Sequence, residues 1–383
     1  MRRLTVGIDA SRNRSGGARA HLVGILSEVN PVNYGIKEVH LWAPDSLLNE
    51  LENHSWLIKH SSKELQQSLI KQIWWQASKL SYEAKSVGCD IMFTTDASTF
   101  CRFKPMIVLS QDMLSYEHGA MKSYGYTKQR LRLLAILIIQ NYAFRFSDGV
   151  IFLTEYASKV IQKSTGLLNR VKCIPHGVGL SFRLLQLNHV WPNNSIEPIR
   201  CIYISNTEMY KHQWVVVQAL SILRAHGHNI TLQLIGGGEG KAQKLLNESI
   251  KKFDPGASFV EVIDFISHNK VPEYLSKSNI FIFASSCENM PITLIEGMAS
   301  GLPIACSDRG PMPEVLQDGG VYFNPEDYTS IVLAIEKIIY NHSLRKYISK
   351  RAKKLSNKYS WNRCADQTWE FIVDTYIEMN NDR

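Results

Sequence analysis

The chain has 383 residues, 45% of them hydrophobic and 20% charged, a composition that is ordinary for a globular protein and excludes a largely disordered one. Its seven cysteines are odd in number, scattered and never in a C-x-x-C pair, which argues against a disulfide framework or a zinc site and favours a reducing cytoplasm. The formal net charge of +8 comes from residues spread along the sequence rather than gathered in one stripe with interleaved aromatics, which argues against a nucleic-acid-binding protein.

The first half of the sequence alternates short β-rich segments with longer helical patterns, as doubly wound α/β domains do. The segment MRRLTVGIDA has too few apolar residues before Asp9 for a signal peptide, so it is read as the first strand. The longest apolar run, residues 131–139, is far shorter than a membrane span and is expected to be a buried helix. The predicted strands are residues 4–9, 39–43, 91–95, 106–110, 149–154 and 171–175.

The second half repeats this pattern and predicts a second domain of the same architecture, since one core seldom supports a chain of this length. Residues 189–198 are rich in Pro, Asn and Ser and are read as a linker. We therefore expect Rossmann-like domains over residues 1–190 and 191–365, and a last helix over residues 366–383 that crosses back to the first domain. The predicted strands of this half are residues 199–205, 230–237, 258–264, 279–285, 302–308 and 321–325.

Residues 286–314 predict a helix enclosed in one βαβ unit. Pro291 suits the first position of a helix, because its φ is already helical and its missing N–H would have no partner there. The helix is therefore expected to begin near Met290. Gly301 is expected to end it after about ten residues.

Two carboxylates lie around the start of this predicted helix: Glu288 precedes it and Glu296 falls within it. The free N–H groups and the positive dipole end of a helix start can hold a phosphate. Ligands of doubly wound sheets bind at the carboxyl ends of the strands, and a carboxylate accepts hydrogen bonds from hydroxyl groups. The segment therefore predicts a site for a sugar attached to a nucleotide.

Charge is divided unevenly between the two halves of the sequence. Residues 1–190 hold 23 Lys and Arg against 14 Asp and Glu, a net charge of +9, whereas the remaining residues have a net charge of −1. Such a field can attract an anionic phospholipid surface or a phosphorylated acceptor. An ordinary solvated basic face is the alternative.

Six motifs occur in an order and at separations that resemble one family, the retaining glycosyltransferases of the family 4 type, or glycosyl transferases group 1. They are SGGARAHL (15–22), CIPHGV (173–178), YISNTEMYKHQWVVVQAL (203–220), GGGEG (236–240), the pair Glu288 and Glu296, and DRGPMPE (308–314). The resemblance covers nearly the whole chain. It implies the GT-B fold, an α/β fold of two facing doubly wound domains with the active site in the cleft between them and carboxyl-terminal helices packed back toward the first domain.

The resemblance assigns the donor diphosphate to Lys211, which stands at the position of the family's lysine. A compact cation there can neutralise the charge that develops on the leaving phosphate without a metal. The family usually has an arginine five residues earlier, where this chain has Asn206. Arg309 or Arg12 is the candidate to replace that arginine.

The resemblance places Glu288 against the transferred sugar and Glu296 against the ribose of the nucleotide. With Lys211, Glu288 is a predicted catalytic residue. The glycine turn after the first strand is expected to border the diphosphate, because glycine lets backbone approach a ligand closely. The other predicted donor contacts are Gly16, Gly17, Met290, Pro291 and Ile292.

On the acceptor side, the family commonly has a histidine where this chain has Gln111. Gln111 is expected to hydrogen-bond a sugar hydroxyl. Asp112, the third predicted catalytic residue, or His118 is expected to orient the acceptor hydroxyl. In the family's mechanism the leaving phosphate takes the acceptor proton, so no dedicated protein base is needed. His176, in CIPHGV, is expected to form a turn.

The resemblance implies transfer of a hexose, with a mannose-like sugar favoured, from a donor such as GDP-mannose or a UDP-sugar. The acceptor is expected to be a saccharide or a lipid-linked sugar in the synthesis of cell-surface polysaccharide or lipopolysaccharide. No metal or other cofactor is expected. Two alternatives stay open: a catalytically silent sugar- or nucleotide-binding partner of another transferase, and a nucleotide-sugar epimerase. The protein is expected in the cytoplasm, or peripherally on the inner face of the membrane.

Overall fold

A computed structural model describes residues 3–13, 16–187, 191–192 and 196–381, apart from the side chains of His118 and Ala120. The chain separates into two compact units. The amino-terminal unit consists of residues 1–177 together with 360–383, and the carboxyl-terminal unit of residues 178–359.

In the described part of the amino-terminal unit, seven parallel strands form one sheet in the order β3-β2-β1-β4-β5-β6-β7. Each predicted strand is present, with small shifts at its ends. The additional strand, β3, lies at the edge of the sheet and has only two apolar residues, so its sequence pattern is too weak to predict. The strands are Leu4–Asp9 (β1), Ile36–Trp42 (β2), Leu57–His60 (β3), Ile91–Thr94 (β4), Met106–Leu109 (β5), Gly149–Phe152 (β6) and Val171–Cys173 (β7).

Helices connect these strands and cover both faces of the sheet, which explains why every residue of β1 is buried. The helices are Gly16–Ser27 (α1), Asp45–Leu48 (α2), Leu69–Ser78 (α3), Leu80–Ser86 (α4), His118–Ser123 (α5), Lys128–Phe146 (α6) and Glu155–Thr165 (α7). Short 3-10 turns occupy Pro31–Tyr34 and Lys63–Gln66.

The prediction of a buried helix at residues 131–139 is wrong on one side of α6. Leu133 and Phe144 are buried, but Leu131 and Ile138 are each 70% exposed. Apolar residues surround this stretch of helix on all sides, so its sequence does not mark which side faces the sheet. Among the described residues, no helix is both long and apolar enough to cross a bilayer.

The carboxyl-terminal unit repeats the architecture with six parallel strands among its described residues, in the order β10-β9-β8-β11-β12-β13. All of them were predicted. The strands are Ile199–Ile204 (β8), Ile230–Ile235 (β9), Val260–Ile263 (β10), Ile280–Phe283 (β11), Ile304–Ser307 (β12) and Val321–Phe323 (β13). The helices are Leu180–Arg183 (α8), Gln213–Ala225 (α9), Gly240–Phe253 (α10), Val271–Ser276 (α11), Ile292–Ser300 (α12), Met312–Leu316 (α13), Tyr328–Tyr340 (α14) and His342–Ser356 (α15).

The last helix, Trp361–Asn381 (α16), returns to the amino-terminal unit, as the fold class predicts. It begins before the predicted residue 366 and packs along α1. A Cβ atom added to Gly24 of α1 would lie 2.4 Å from the ring of Trp361, so glycine is needed for this close approach. The buried indole of Trp369 donates to the carbonyl oxygen of Ile25 at 3.3 Å.

The predicted boundary near residue 190 lies outside the described residues. The helix α8 belongs to the carboxyl-terminal unit, although the sequence analysis placed it in the first domain. Helix α8 belongs to this unit because it packs against α12 and its residue Phe182 is almost fully buried. Two doubly wound Rossmann-like units with a returning last helix make up the GT-B architecture that the sequence predicts.

Candidate active site

Most of the predicted donor residues lie after strands of the second sheet, on loops or in helix α12, whereas Gly16 and Gly17 lie in the amino-terminal unit. All the strands that pair in this sheet are parallel, so their carboxyl ends meet at one edge. Asn206 follows β8, Glu288 follows β11 and Arg309 follows β12. The edge therefore collects residues that are far apart in the sequence.

Lys211 and Glu288, the predicted catalytic pair of this unit, are in direct contact. The ammonium of Lys211 forms a short ion pair with Oε1 of Glu288. Lys211 is only 7% exposed, and its ammonium also lies 5.1 Å from the ring centre of Tyr210 and 5.6 Å from that of Phe283. A buried cation needs an anionic partner. The pair therefore places a positive and a negative group side by side in a buried position.

Hydrogen bonds between two loops hold Lys211 in position. The hydroxyl of Tyr203 donates to the carbonyl oxygen of Lys211 at 2.8 Å. The next residue, His212, has the left-handed φ of +49° and its Nε2 lies 2.8 Å from Oγ of Ser286. The N–H of Ser286 in turn donates to the carbonyl oxygen of Tyr210 at 2.8 Å. The loops after β8 and β11 are thus bound to each other beside the ion pair.

The helix predicted near Met290 begins slightly later than expected. Helix α12 starts at Ile292, and Pro291 is its N-cap residue with φ of −83° and an extended ψ of 93°. Pro291 therefore precedes the first helical position, which corrects the prediction that it occupies that position. The N–H groups of the first turn have no partner within the helix, as at every helix start. Gly301 ends α12 in the left-handed conformation, as predicted.

Glu296 lies inside α12, as predicted, and is only 3% exposed. Its Oε1 lies 2.5 Å from Nε2 of His268, whose side chain is 69% exposed. Burial raises the pKa of Glu296 above its ordinary value, and the hydrogen bond that His268 donates to Glu296 raises the pKa of His268. The ring of His268 also packs against Phe182, with 5.2 Å between ring centres.

His268 is a candidate site residue that the sequence analysis missed. It lies in a 3-10 turn, His268–Lys270, between β10 and α11. Its one sequence signal is that it follows a strand of the parallel sheet, and that signal is shared by many loop residues. The contact with Glu296 depends on tertiary structure.

Asn206 is exposed at the tip of the loop after β8, beside the glycine loop after β9. A Cβ atom on Gly236, where φ is +131°, would lie 2.5 Å from the carbonyl oxygen of Ser205. The N–H of Thr207 donates to the carbonyl oxygen of Gly237 at 2.7 Å. The glycines thus let the two loops lie backbone against backbone, with the Asn206 side chain at their exposed surface.

The two proposed substitutes for the missing arginine lie in different units. Arg309 belongs to the carboxyl-terminal unit, where it lies 3.3 Å from Asp308 and 3.2 Å from the side-chain oxygen of Asn324. Arg12 belongs to the amino-terminal unit. It lies 3.4 Å from Asp96 and donates to the carbonyl oxygen of Ser98 at 2.7 Å.

The predicted acceptor-side residues lie at the carboxyl edge of the first sheet. Gln111 and Asp112 follow β5, and the N–H of Leu114 donates to Asp112 Oδ1 at 2.9 Å. Burial raises the pKa of Asp112 above its ordinary value. Among the described residues, the buried Nε2 of Gln111 has no hydrogen-bond partner. His118 is the first residue of α5, and its side chain is not among those described.

The glycine turn of the amino-terminal unit is incorporated into a helix. Gly16 and Gly17 are the first two residues of α1, and Gly16 has the left-handed φ of +69°. A Cβ atom on Gly16 would meet no described atom within 4 Å.

His176 has more than the turn role that was predicted. It is buried, and its Nδ1 lies 3.1 Å from Nδ1 of His21. Both rings also pack near Trp361. Burial lowers the pKa of both histidines, so this is a neutral packing cluster within the amino-terminal unit.

Comparison with known proteins finds one family model, glycosyl transferases group 1, which matches residues 191–355. The chain is 22% identical over 167 residues to the O-antigen chain mannosyltransferase B of Escherichia coli, an alignment that spans 44% of each protein. The chain thus aligns with less than half the length of that relative.

Solved structures share the fold over the full chain. A sucrose-phosphate synthase from Thermosynechococcus elongatus has a TM-score of 0.77 at 16% identity, covering 100% of both chains. The Anabaena protein HepE in complex with UDP-glucose has a TM-score of 0.71 at 15% identity, covering 99% of this chain and 100% of that one. The family match covers the region that holds Lys211, Glu288 and Glu296, and the solved structures show that the fold is shared.

Proposed function

We propose that this protein is a retaining hexosyltransferase that uses a nucleotide-diphosphate sugar as donor. The observation that carries the proposal is the buried contact of Lys211 with Glu288 at the carboxyl edge of the second sheet. Departure of a nucleoside diphosphate builds negative charge on phosphate and positive charge on the sugar ring. A lysine and a carboxylate held side by side match these two charges.

The proposed reaction exchanges one bond at the anomeric carbon for another. The bond from that carbon to the phosphate oxygen breaks, and its electron pair stays on the phosphate. The acceptor hydroxyl oxygen bonds to the same face of the carbon, and its proton passes to the leaving phosphate. Lys211 would stabilise the phosphate charge, and Glu288 would hold the hydroxyls of the transferred sugar.

The remaining donor contacts follow from the loops at the same edge. Glu296 would accept hydrogen bonds from the ribose hydroxyls, with His268 holding one of its two oxygens. The backbone around Met290 and Ile292, at the start of α12, would contact sugar or phosphate. Asn206 would reach the diphosphate, although it brings no charge.

The acceptor is assigned to the amino-terminal unit. Gln111 would donate to an acceptor hydroxyl through its unpaired Nε2, and Asp112 or His118 would orient the attacking hydroxyl. Gly16 and Gly17 would border the diphosphate. We expect no metal requirement, so turnover should survive a chelator such as EDTA.

The donor we favour is a mannose-like nucleotide sugar, and the product a cell-surface polysaccharide or lipopolysaccharide. The Escherichia coli relative is named as an O-antigen mannosyltransferase. A UDP-sugar is the other donor class, since HepE was solved with UDP-glucose. A lipid-linked acceptor would place the protein peripherally on an anionic membrane, where the basic amino-terminal half would help to hold it.

The first test is thermal unfolding of the protein with GDP-, UDP-, dTDP- and ADP-sugars. A ligand at ~100 times its dissociation constant stabilises by roughly 2.7 kcal/mol, so one nucleotide class should raise the unfolding temperature. The same donor should then be consumed in a transfer assay with saccharide and lipid-linked acceptors, and the product should keep the donor's anomeric configuration. No shift with any donor would contradict the proposal.

A silent binding partner of another transferase is the second candidate, favoured by the uncharged Asn206 and Gln111 at two family positions. It predicts a thermal shift with one donor but no transfer to any acceptor. An epimerase would instead convert the donor into a sugar isomer without an acceptor. Product analysis by NMR separates all three.

A further inference from the structure

Helix α6 exposes an apolar stripe that the core does not use. Four large apolar side chains on it are solvent-exposed: Leu131 (70%), Leu134 (40%), Ile138 (70%) and Tyr142 (57%). They are three, four and four positions apart, so they lie on one side of the helix. The buried residues of α6, among them Leu133 and Phe144, lie on the opposite side. We call this stripe of four residues the α6 face.

On helix α6 itself, all the charged residues are positive. Helix α6 contains no Asp or Glu and carries Lys128, Arg130, Arg132 and Arg145. Within the described part of the chain, no carboxylate forms an ion pair with any of these four cations. Arg145 instead donates to the carbonyl oxygens of Ser164 and Thr165.

The exposed side of α6, an apolar stripe beside cations, resembles the lipid-facing side of helices that lie in a membrane interface. From Leu131 to Tyr142 the stripe is about 16 Å long, at the helical rise of about 1.5 Å per residue. Lysine and arginine beside it can keep their apolar stems against the acyl boundary while their charged ends reach lipid phosphates. Burial of the apolar stripe and attraction of the cations to lipid phosphates then both favour binding to a membrane interface.

Helix α3 adds a second exposed apolar group on the same side of the sheet. Ile70 is 78% and Trp74 is 55% exposed. Helix α3 connects β3 to β4, and α6 connects β5 to β6; both connections run in the same direction across the sheet. Because such connections are right-handed, the two helices lie on the same face of the sheet. Tryptophan is enriched at membrane interfaces, where its ring is partly apolar and its N–H is hydrated.

We propose that the α6 face, with its flanking cations, docks this protein on an anionic phospholipid bilayer. The choice of a membrane rests on the proposed function, since a lipid-linked acceptor lies there. A second copy of the chain fits less well: two α6 faces in contact would bring eight cations together without a carboxylate of α6 to compensate them. The same positive charge selects phosphatidylglycerol over the neutral phosphatidylcholine.

The test is sedimentation of the full chain with vesicles of phosphatidylglycerol and phosphatidylcholine, compared with phosphatidylcholine alone. The wild type should bind the anionic vesicles, and less so at high salt. The variant L131N/I138N should lose binding by about tenfold or more, because apolar burial is removed. K128Q/R132Q should lose binding to anionic vesicles by roughly the same order, because two lipid-phosphate contacts are removed.

Two control variants make matched changes elsewhere. L167N alters a leucine that is 92% exposed in the same unit, and K251Q/K252Q removes two exposed cations from α10. Both controls should bind vesicles as the wild type does. Equal loss in the controls, equal binding to neutral vesicles, or no binding by the wild type would each overturn the proposal.

Two further measurements distinguish membrane docking from a failure of the proposed function and from a dimer interface. Nucleotide-sugar stabilisation of L131N/I138N should equal that of the wild type, which shows that the fold and the donor site are intact. Absence of donor stabilisation in every variant would reject the proposed function while leaving the vesicle result valid. A wild-type dimer that L131N/I138N converts to a monomer would assign the α6 face to a second copy and overturn membrane docking.

Discussion

His268 Nε2 lies 2.5 Å from Glu296 Oε1, so a mostly exposed imidazole is tied to an almost fully buried carboxylate. Burial disfavours the charged form of Glu296, and the hydrogen bond from His268 offsets part of that cost. The contact holds Oε1 of Glu296 in place.

We predict that His268 titrates above its ordinary pKa of 6.5, because its protonated form is held by Glu296. Its folded-state pKa is raised, so the stabilisation it gives is fully present below pH 6.5 and is lost as pH rises through the folded pKa. The difference in unfolding free energy between wild type and H268Q should follow this course, and it should stay below about 1 kcal/mol because the imidazole is exposed. NMR titration of the imidazole checks the pKa directly, and E296Q should lower it. An unchanged pKa in E296Q would reject the coupling.

Glu296→Gln should weaken nucleotide binding by about tenfold, because an amide accepts fewer hydroxyl hydrogen bonds than a carboxylate and loses their charge assistance. Isothermal titration with the donor's nucleoside diphosphate measures the loss. Glu273→Gln, an exposed glutamate on α11 paired with Lys277, is the matched control and should bind normally. Unchanged affinity in E296Q would remove Glu296 from the ribose site.

Lys211→Ala should lower turnover by roughly a hundredfold or more, because it removes the charge that stabilises the leaving phosphate. It also leaves Glu288 without its partner, so the free energy of unfolding of K211A is measured beside its turnover to separate lost stability from lost catalysis. Initial rates at saturating donor check the prediction. Lys277→Ala, which removes an exposed lysine, is the control. Near-normal rates in K211A would place the phosphate site elsewhere.

Asn206→Arg should tighten binding of the nucleoside diphosphate by about tenfold, because it adds a bidentate cation at an exposed loop tip where the family usually has arginine. Comparison of the diphosphate with the corresponding monophosphate tests this, since the gain should be larger for the diphosphate. An equal gain for both, or none, would show that Asn206 does not face the phosphates.

Gly236→Ala should destabilise the carboxyl-terminal unit by about 2 kcal/mol or more, through a strained positive φ and a close backbone contact. Its Cβ would lie 2.5 Å from the carbonyl oxygen of Ser205. Gly256→Ala is the matched control, because a Cβ there would meet no described atom within 4 Å. Chemical denaturation of both variants measures the contrast. Equal stabilities would show that the two loops separate at little cost.

Local sequence patterns determined the two doubly wound sheets. Buried parallel strands such as β1 and β11 are continuous apolar runs, and the glycine at residue 301 ends α12 where the pattern predicts. Such features depend on a few neighbouring residues. The start of α12 moved from Met290 to Ile292 because the backbone of Pro291 stays extended, and helix ends are set by small local differences.

The family resemblance assigned Lys211 and Glu288 to one site. The structure brings them into contact because both follow strands whose carboxyl ends share an edge. The contact of His268 with Glu296 needed the tertiary structure, since nothing in the local sequence selects one loop histidine.

The exposed side of α6 shows most clearly what tertiary structure decided. Over residues 131–139 apolar side chains occur on every side of the helix, so the local pattern does not select which side is buried. Packing against the sheet selected Leu133 and Phe144 for the core and left Leu131 and Ile138 in solvent. The sequence by itself determined the strands and helices and the residue types at their ends. Which apolar surface is buried was decided only by the packing of the whole unit, because that packing involves residues distant along the chain.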